Sequence, residues 1–211
     1  MSLNHYLFKI IVLGDTGYGK TSLVKRLLKD KFDGQKEPTI GLDFATTYVE
    51  LHNNKSVKFH IWDTAGQETF ASIIKTYYKN IACAFIVMDV GEEDSFQQAE
   101  KWLNRYNSEK SEGSKAPPII LSNKLDIENR KYTEEEGRNF AKQYGCIYYE
   151  VSAKTGANCS RIMSIMAEHI YKHMNKNIFM EEPGIRKENY LPKSLNISKR
   201  ETEWFSCCVT Q

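Results

Sequence analysis

Four short motifs carry the residue types that bind phosphates, a metal ion and a nucleotide base. In chain order they are Gly14-Asp15-Thr16-Gly17-Tyr18-Gly19-Lys20-Thr21, Asp63-Thr64-Ala65-Gly66-Gln67, Asn123-Lys124-Leu125-Asp126 and Ser152-Ala153-Lys154. The first combines glycines with a lysine and a hydroxyl, which suits phosphate groups. The others supply carboxylates, amides and hydroxyls, which suit a hard cation and the polar edge of a base. Their types and order predict a nucleotide site.

The first motif stands in the context that a phosphate-binding loop requires. Phe8 to Leu13 form an apolar run that predicts a buried strand, and Lys20 to Leu28 show helical spacing of apolar residues. Glycines allow successive backbone N–H groups to face one anion, and a helix N-terminus adds partial positive charge. We expect Lys20 to reach the outer phosphates and the Thr21 hydroxyl to ligate Mg²⁺.

The carboxylate of Asp126 predicts which base is bound. It can accept from both the ring N–H and the exocyclic amine of guanine, whereas adenine would leave it unpaired, and such a site rejects the wrong base by roughly 10⁴-fold. Asn123 follows the apolar run Pro118 to Leu121, so it is predicted at a strand end, where open α/β sheets bind ligands. The Lys124 stem can cover one face of the base. A kinase or ATPase with a similar phosphate loop is the alternative, which Asp126 and Ala153 oppose.

The second motif predicts a response to the terminal phosphate. Asp63 follows an alternating strand pattern and suits the Mg²⁺ shell, while Gly66 lets its N–H approach the γ-phosphate. Gln67 can donate and accept together, so it is the predicted catalytic residue that orients the attacking water. Thr39 would add a second hydroxyl to Mg²⁺ when the γ-phosphate is present. The predicted metal ligands are therefore Thr21, Thr39 and Asp63, and the predicted phosphate contacts are Asp15, Thr16, Gly17, Tyr18, Gly19, Lys20, Thr21, Ser22, Thr39 and Gly66.

These residues resemble the Ras-like small GTPases and, within them, the Rab family. The resemblance rests on Thr39-Ile40-Gly41-Leu42-Asp43-Phe44 in the first switch, on Lys58 to Glu68 in the interswitch and second switch, on Tyr77-Tyr78 and on Cys207-Cys208. It covers about residues 6 to 174 and the last five. It implies an α/β P-loop NTPase fold, a small G-domain whose six-stranded, mostly parallel sheet is flanked by five helices. It also implies a GDP/GTP cycle that recruits effectors to membranes in vesicle traffic.

The resemblance also assigns residues to the base and to partner proteins. Phe32 would stack on the guanine, and the Ala153 N–H would contact the guanine carbonyl oxygen. The implied guanine-binding set is Phe32, Asn123, Lys124, Asp126, Ser152, Ala153 and Lys154, and the implied effector-binding set is Ile40, Gly41, Phe44, Trp62 and Tyr77. The alternative for the three aromatic residues of the second set is ordinary core packing.

The expected activity is slow hydrolysis of GTP to GDP and phosphate. No arginine of the motifs is placed to act on the transition state, so a GTPase-activating protein would supply one, worth about 10³ to 10⁵ in rate. The other implied partners are an exchange factor, a GDP-dissociation inhibitor and effectors. Thr16 crowds the γ-phosphate, and Thr69 stands where the family usually has arginine. A hydrolysis-poor, GTP-loaded scaffold therefore stays open as the alternative.

Length and charge limit the remaining classes of function. The 211 residues predict one G-domain over residues 6–174 and a flexible tail over residues 175–211. A net charge of +2 gives no argument for nucleic acid, which would require a clustered basic face. No apolar stretch reaches the ~20 residues that span a bilayer, and no secretory signal is present. The resemblance to the Rab family implies a monomer at the cytoplasmic face of intracellular membranes that cycles with the cytosol.

The last residues predict how the chain reaches a membrane. Cys207-Cys208-Val209-Thr210-Gln211 places two thiols beside the C-terminus, and Cys208 alone also fits a CaaX box. Two lipid chains hold a protein stably on membranes, whereas one holds it marginally. Two prenyl groups, on Cys207 and Cys208, are therefore the prediction, and a single farnesyl on Cys208 is the alternative.

Five helices are predicted to position these motifs. Helical spacing covers Lys20 to Asp30, a short segment after Phe70, Ser95 to Asn107, Thr133 to Tyr144 and Cys159 to Lys172. Thr133 and Glu136 form the pattern of a capping box. Asn53-Asn54 predicts a hairpin turn between the two strands that separate the switches.

Overall fold

The computed structural model describes residues 4–34, 42–51, 55–64, 78, 80–110, 116–173, 185–188 and 204–205. The strands are β1 (Asn4–Leu13), β2 (Leu42–Leu51), β3 (Lys55–Thr64), β4 (Cys83–Asp89), β5 (Ile119–Asn123), β6 (Ile147–Glu150), β7 (Ile185–Glu188) and β8 (Trp204–Phe205). The helices are α1 (Lys20–Lys29), α2 (Ser95–Glu109), α3 (Glu134–Gln143) and α4 (Ile162–His173).

The first six strands form the mostly parallel sheet that the sequence predicts. Their order is β6-β5-β4-β1-β3-β2, and every neighbouring pair is parallel except β2 with β3. The antiparallel pair runs from Leu42 opposite Thr64 to Leu51 opposite Lys55, which is the strand pairing that the predicted hairpin requires. The predicted turn residues Asn53 and Asn54 lie outside the described residues. Two short strands of the predicted tail also pair with this sheet, β7 with β1 and β8 with β2.

Burial explains why these segments form strands. All seven residues of β4 and all five of β5 are buried, as expected for strands covered on both faces. One face packs Phe8, Ile10 and Phe59 against apolar residues of α1 and α4. The opposite face packs Ile11 and Ile86 against α2 and α3. Helices on both faces of a parallel sheet define an α/β fold, and the predicted fold class is confirmed.

The helices agree with the sequence prediction except at one start. The capping box of α3 is formed, because the Glu136 N–H donates to Thr133 Oγ1 at 3.3 Å and the Thr133 N–H donates to the Glu136 carboxylate at 2.7 Å. The prediction that the last helix begins at Cys159 was wrong, since α4 begins at Ile162. Asn158 lies in the left-handed region with φ 60°, and the Ile162 N–H donates three residues back to Cys159, so a tight turn precedes the helix.

Four of the five predicted helices lie in the described part of the chain. The segment after Phe70, where the fifth is predicted, lies outside the described residues. Among the described helices, none is both long and apolar enough to cross a membrane.

The parallel arrangement gathers the motifs at one edge of the sheet. The carboxyl ends of β1, β3, β4, β5 and β6 all point the same way, and motif residues end or closely follow four of these strands, β1, β3, β5 and β6. Ligands of open α/β sheets bind at this edge.

Candidate nucleotide-binding site

The loop between β1 and α1 needs glycine at its two ends. Gly14 has φ 144°, and a Cβ there would lie 2.5 Å from the carbonyl oxygen of Val87 on β4. Gly19 has φ 82°, and a Cβ there would lie 2.6 Å from the side-chain nitrogen of Asn123 on β5. L side chains rarely adopt these backbone conformations, and neither position has room for one. The loop is therefore held against two neighbouring strands.

The start of α1 presents positive charge. The N-cap residue of α1 is Gly19, which makes no side-chain capping bond, and the N-terminus of a helix carries partial positive charge. Lys20 is buried, and its Nζ donates to the carbonyl oxygen of Asp15 at 2.8 Å. Burial lowers the pKa of Lys20 to about 8, although the Asp63 and Asp15 carboxylates oppose the shift. A buried cation beside a helix N-terminus favours a bound anion.

The Asp63 carboxylate on β3 fits a metal ion. Asp63 is 1% exposed, and neither of its oxygens has a hydrogen-bond donor in good geometry among the described residues. Burial raises the pKa of Asp63 to about 6, while the nearby Thr21 hydroxyl and Lys20 ammonium limit that rise. A buried carboxylate with free lone pairs, next to a hydroxyl, matches the oxygen ligands that Mg²⁺ prefers. Asp63 and Thr21 would hold that ion.

The Asn123 side chain joins the phosphate loop to the third loop of the site. Its Nδ2 donates to the carbonyl oxygen of Tyr18 at 3.0 Å, and its Oδ1 accepts from the Ala153 N–H at 3.0 Å. Asn123 is 1% exposed, so both bonds are shielded from water. The two predicted regions, for phosphates and for base, are thus one connected structure.

Asp126 is held as an ionised carboxylate. It accepts from the Ser152 hydroxyl, and Lys154 Nζ lies 3.4 Å from its other oxygen. Burial raises the pKa of Asp126, but these two groups and a backbone N–H outweigh burial and lower it below its ordinary value. Lys124 forms an ion pair with the buried Asp89 at the end of β4. The structure therefore brings together the predicted base-binding residues of the last two motifs.

Three contacts that the sequence did not predict brace these loops. Trp102 on α2 donates from Nε1 to the Asp15 carboxylate at 2.8 Å, and the Tyr18 hydroxyl donates to Asp94 at 3.2 Å. Arg26 on α1 donates to backbone carbonyl groups of the Ser152-Ala153-Lys154 loop. No local sequence pattern identifies these residues, since each contact joins positions more than seventy residues apart.

The remaining described site residues lie at the edges of this arrangement. Thr16 and Gly17 are exposed at the tip of the phosphate loop, Ser22 is half-buried on α1, and Phe32 is 40% exposed beyond that helix. Phe44 on β2 lies opposite Trp62 on β3, with ring centroids 4.8 Å apart. Both of these rings are only partly buried, so they are neither fully in the core nor fully exposed.

Eight predicted site residues lie outside the described part of the chain. They are Thr39, Ile40, Gly41, Gly66, Gln67, Tyr77, Cys207 and Cys208. Their roles stay predictions.

The chain is similar to a known protein family over most of its length. The model of the Ras family matches residues 9–172, which is well over half of the chain. The matched range begins inside β1, ends inside α4 and includes every motif of the site. The chain therefore belongs to the Ras family, the small GTPases that bind guanine nucleotides and hydrolyse GTP as a molecular switch.

Proposed function

We propose that this Ras-family protein is a Rab-like switch that recruits effectors to membranes in vesicle traffic. The observation that carries the proposal is the Phe44–Trp62 pair, two partly exposed aromatic rings on neighbouring strands. Trp62 directly precedes Asp63, the proposed metal ligand. A partner that packs on these rings would therefore sense the strand that carries the metal ligand. Aromatic rings at a surface favour protein recognition.

The phosphate end of the site has distinct roles for its residues. Lys20 and the first N–H groups of α1 face the anionic groups of the nucleotide. Thr21 and Asp63, joined by Thr39, would hold Mg²⁺, which would neutralise phosphate charge. The N–H of Gly66 would approach the γ-phosphate, so loss of that phosphate would release the loops that carry Thr39 and Gly66.

The base end of the site selects guanine. Asp126 is ionised, so it can accept two hydrogen bonds from the guanine edge. The Lys124 stem and the Phe32 ring would cover the faces of the base, and the Ala153 N–H would reach its carbonyl oxygen. In the structure this N–H donates to Asn123, and it would share that bond with the guanine oxygen.

Hydrolysis is proposed to depend on Gln67 and on a partner. Gln67 would orient the water that attacks the γ-phosphate. We expect Gln67→Leu to slow single-turnover GTP hydrolysis by roughly tenfold to a hundredfold, since loss of a positioning group costs up to about 10²-fold. GDP affinity should stay unchanged, because Gln67 would act on the water rather than on the nucleotide.

Gln97→Leu is the matched control for that measurement. Gln97 is an exposed residue of α2, so the same substitution there should leave hydrolysis at the wild-type rate. If Gln67→Leu hydrolyses GTP at the wild-type rate, Gln67 does not have the proposed role.

A hydrolysis-poor scaffold is the second candidate function. It is favoured by Thr16, an exposed residue of the phosphate loop whose side chain would crowd the terminal phosphate. The same single-turnover assay separates the two functions. A wild-type rate that a GTPase-activating protein cannot raise would favour the scaffold.

The cellular part of the proposal follows from the Rab resemblance. We propose that an exchange factor, a GTPase-activating protein, a GDP-dissociation inhibitor and effectors act on a monomer of this chain. Prenyl groups on Cys207 and Cys208 would place it at the cytoplasmic face of intracellular membranes, from which it cycles to the cytosol. Imaging of the tagged protein in its own cells identifies the compartment.

A further inference from the structure

The guanidinium of Arg26 lies between helix α1 and the loop that follows β6. Its Nε donates to the carbonyl oxygen of Ala153 at 2.8 Å, and its Nη2 donates to the carbonyl oxygen of Lys154 at 2.9 Å. The Arg26 side chain is only 13% exposed. Two charge-assisted bonds from one planar group to consecutive carbonyl groups fix both position and direction.

These bonds constrain the backbone that faces the base. Fixing the carbonyl groups of Ala153 and Lys154 sets the two peptide planes that follow these residues, and with them the conformation of Lys154. The preceding peptide plane is fixed separately, because the Ala153 N–H donates to Asn123. Hydrogen bonds thus hold the loop to α1 on one side and to β5 on the other.

We propose that Arg26 is a positioning residue for guanine recognition, which couples the helix behind the phosphates to the loop that reads the base. This inference rests on the proposed contact between the Ala153 N–H and the guanine carbonyl oxygen. Arg26 holds the Ala153–Lys154 backbone in place, so that N–H is presented at a fixed position. Without Arg26 the loop is free to move away from the base.

The same guanidinium has a second set of partners at the end of α1. Its Nη1 donates to the Asp30 carbonyl oxygen at 2.9 Å and to the Asp30 carboxylate at 3.0 Å. These bonds cap the C-terminus of α1. Capping would be the only role of Arg26 if this residue stabilised α1 and nothing else. Asp30 is largely exposed and has a left-handed backbone with φ 52°, which Asn tolerates, so Asp30→Asn removes the ion pair and is expected to leave the bonds to Ala153 and Lys154 in place.

Release of labelled GDP from the Mg²⁺-loaded protein is the first measurement. We expect Arg26→Ala to release GDP roughly tenfold to a hundredfold faster than wild type, because two hydrogen bonds to a charged group are lost. Arg26→Lys, which offers one compact ammonium in place of the fork, should fall between them. Asp30→Asn should release GDP at the wild-type rate.

A base analogue separates positioning from a general loss of stability. The 6-thio analogue of GDP differs only at the guanine carbonyl oxygen, where sulfur is a weaker acceptor. Wild type should prefer GDP over this analogue, and Arg26→Ala should lose most of that preference. A purely structural role would weaken binding of both nucleotides equally and leave the preference unchanged.

Two results would overturn this inference without refuting the proposed nucleotide site. They are a GDP release rate for Arg26→Ala within twofold of wild type, or an unchanged preference between GDP and its 6-thio analogue. If Arg26→Ala does not fold, Arg26→Gln takes its place in both measurements with the same expected and contradicting results, and Arg26→Lys should lie between Arg26→Gln and wild type. A wild-type protein that binds neither nucleotide would refute the proposed site itself.

Discussion

The Asp126 carboxylate has neighbours that keep it charged and aimed. The Ser152 hydroxyl and the Lys154 ammonium approach it from one loop, and together with a backbone N–H they hold its pKa below the ordinary value despite partial burial. A carboxylate that is ionised at neutral pH can only accept hydrogen bonds. In the proposed site it would therefore select a base edge that presents two donors, as guanine does.

Exchanging that carboxylate for an amide should change the preferred base. We expect Asp126→Asn to weaken GDP binding by roughly 10²-fold or more, because one acceptor becomes a donor that meets the guanine amine. Xanthosine diphosphate carries an oxygen where guanine has the amine, so the amide should pair with it. Competition titrations with GDP, xanthosine diphosphate and ADP measure the change.

Glu128→Gln is the control for this substitution, because Glu128 is an exposed carboxylate two residues away. Its nucleotide preference should equal that of wild type. Equal affinity of the wild type for ADP and GDP would contradict the assignment of Asp126 to guanine.

Single residues also show where sequence reasoning ended. Asn123 and Asp126 were predictable, because a short motif after a buried apolar run places them at a strand end. Arg26 was not, because its partners Ala153 and Lys154 lie more than a hundred residues away in sequence. On sequence alone a basic residue near the end of α1 is typical of an exposed helix face. Contacts between distant loops arise only when the sheet brings their elements together.

At the scale of elements, strands were predicted better than the ends of helices. The buried runs of β4 and β5 follow from composition alone, since strands covered on both faces are continuously apolar. The start of α4 was mispredicted because Asn158 takes a left-handed conformation that apolar spacing does not indicate. The start of α3 was predicted within one residue. Its signal is the pair of capping residues Thr133 and Glu136, which marks one position, whereas the spacing of apolar residues does not mark where a helix begins.

That cap offers a test of local stability. We expect Thr133→Ala to lower the free energy of unfolding by about 1 kcal/mol at pH 7, the usual worth of an N-cap hydroxyl. The Thr133 N–H and hydroxyl lower the pKa of Glu136, so the ionised carboxylate stabilises the folded state. That contribution is present above the unfolded pKa of Glu136 and is lost as the pH falls through the folded one. Urea unfolding at pH 7 and below pH 4 measures it.

The mutational loss should therefore be smaller in acid than at pH 7. Glu135→Gln on the same turn is the control, since Glu135 is exposed and lies outside the capping box. A change of less than about 0.3 kcal/mol for Thr133→Ala at pH 7 would show that the cap adds little in this protein.

At the scale of the whole molecule, the site concentrates charge that the fold alone does not neutralise. Lys20 and Asp63 are both buried. Burial lowers the pKa of Lys20 and raises the pKa of Asp63, so in both residues it favours the neutral form. Removing such charges from water destabilises the folded chain unless a partner compensates. A ligand carrying phosphates and Mg²⁺ would supply opposite charges to both residues and would stabilise the fold by mass action. Nucleotide binding and folding would then be linked through these two residues.

The membrane anchor belongs to the whole molecule, because it decides where the switch acts. Residues 176–211 contain six basic and five acidic side chains, so electrostatic attraction to anionic lipid adds little to the membrane affinity of a single prenyl group. We expect geranylgeranyl groups on both Cys207 and Cys208, and Cys207→Ser should then shift most of the protein from membranes to cytosol. A single farnesyl on Cys208 predicts almost no shift, and Ser206→Ala should leave the distribution unchanged under both readings.

Fractionation measures the shift, and mass spectrometry of the C-terminal peptide from native cells counts the lipids. An unmodified or singly farnesylated peptide would refute dual prenylation.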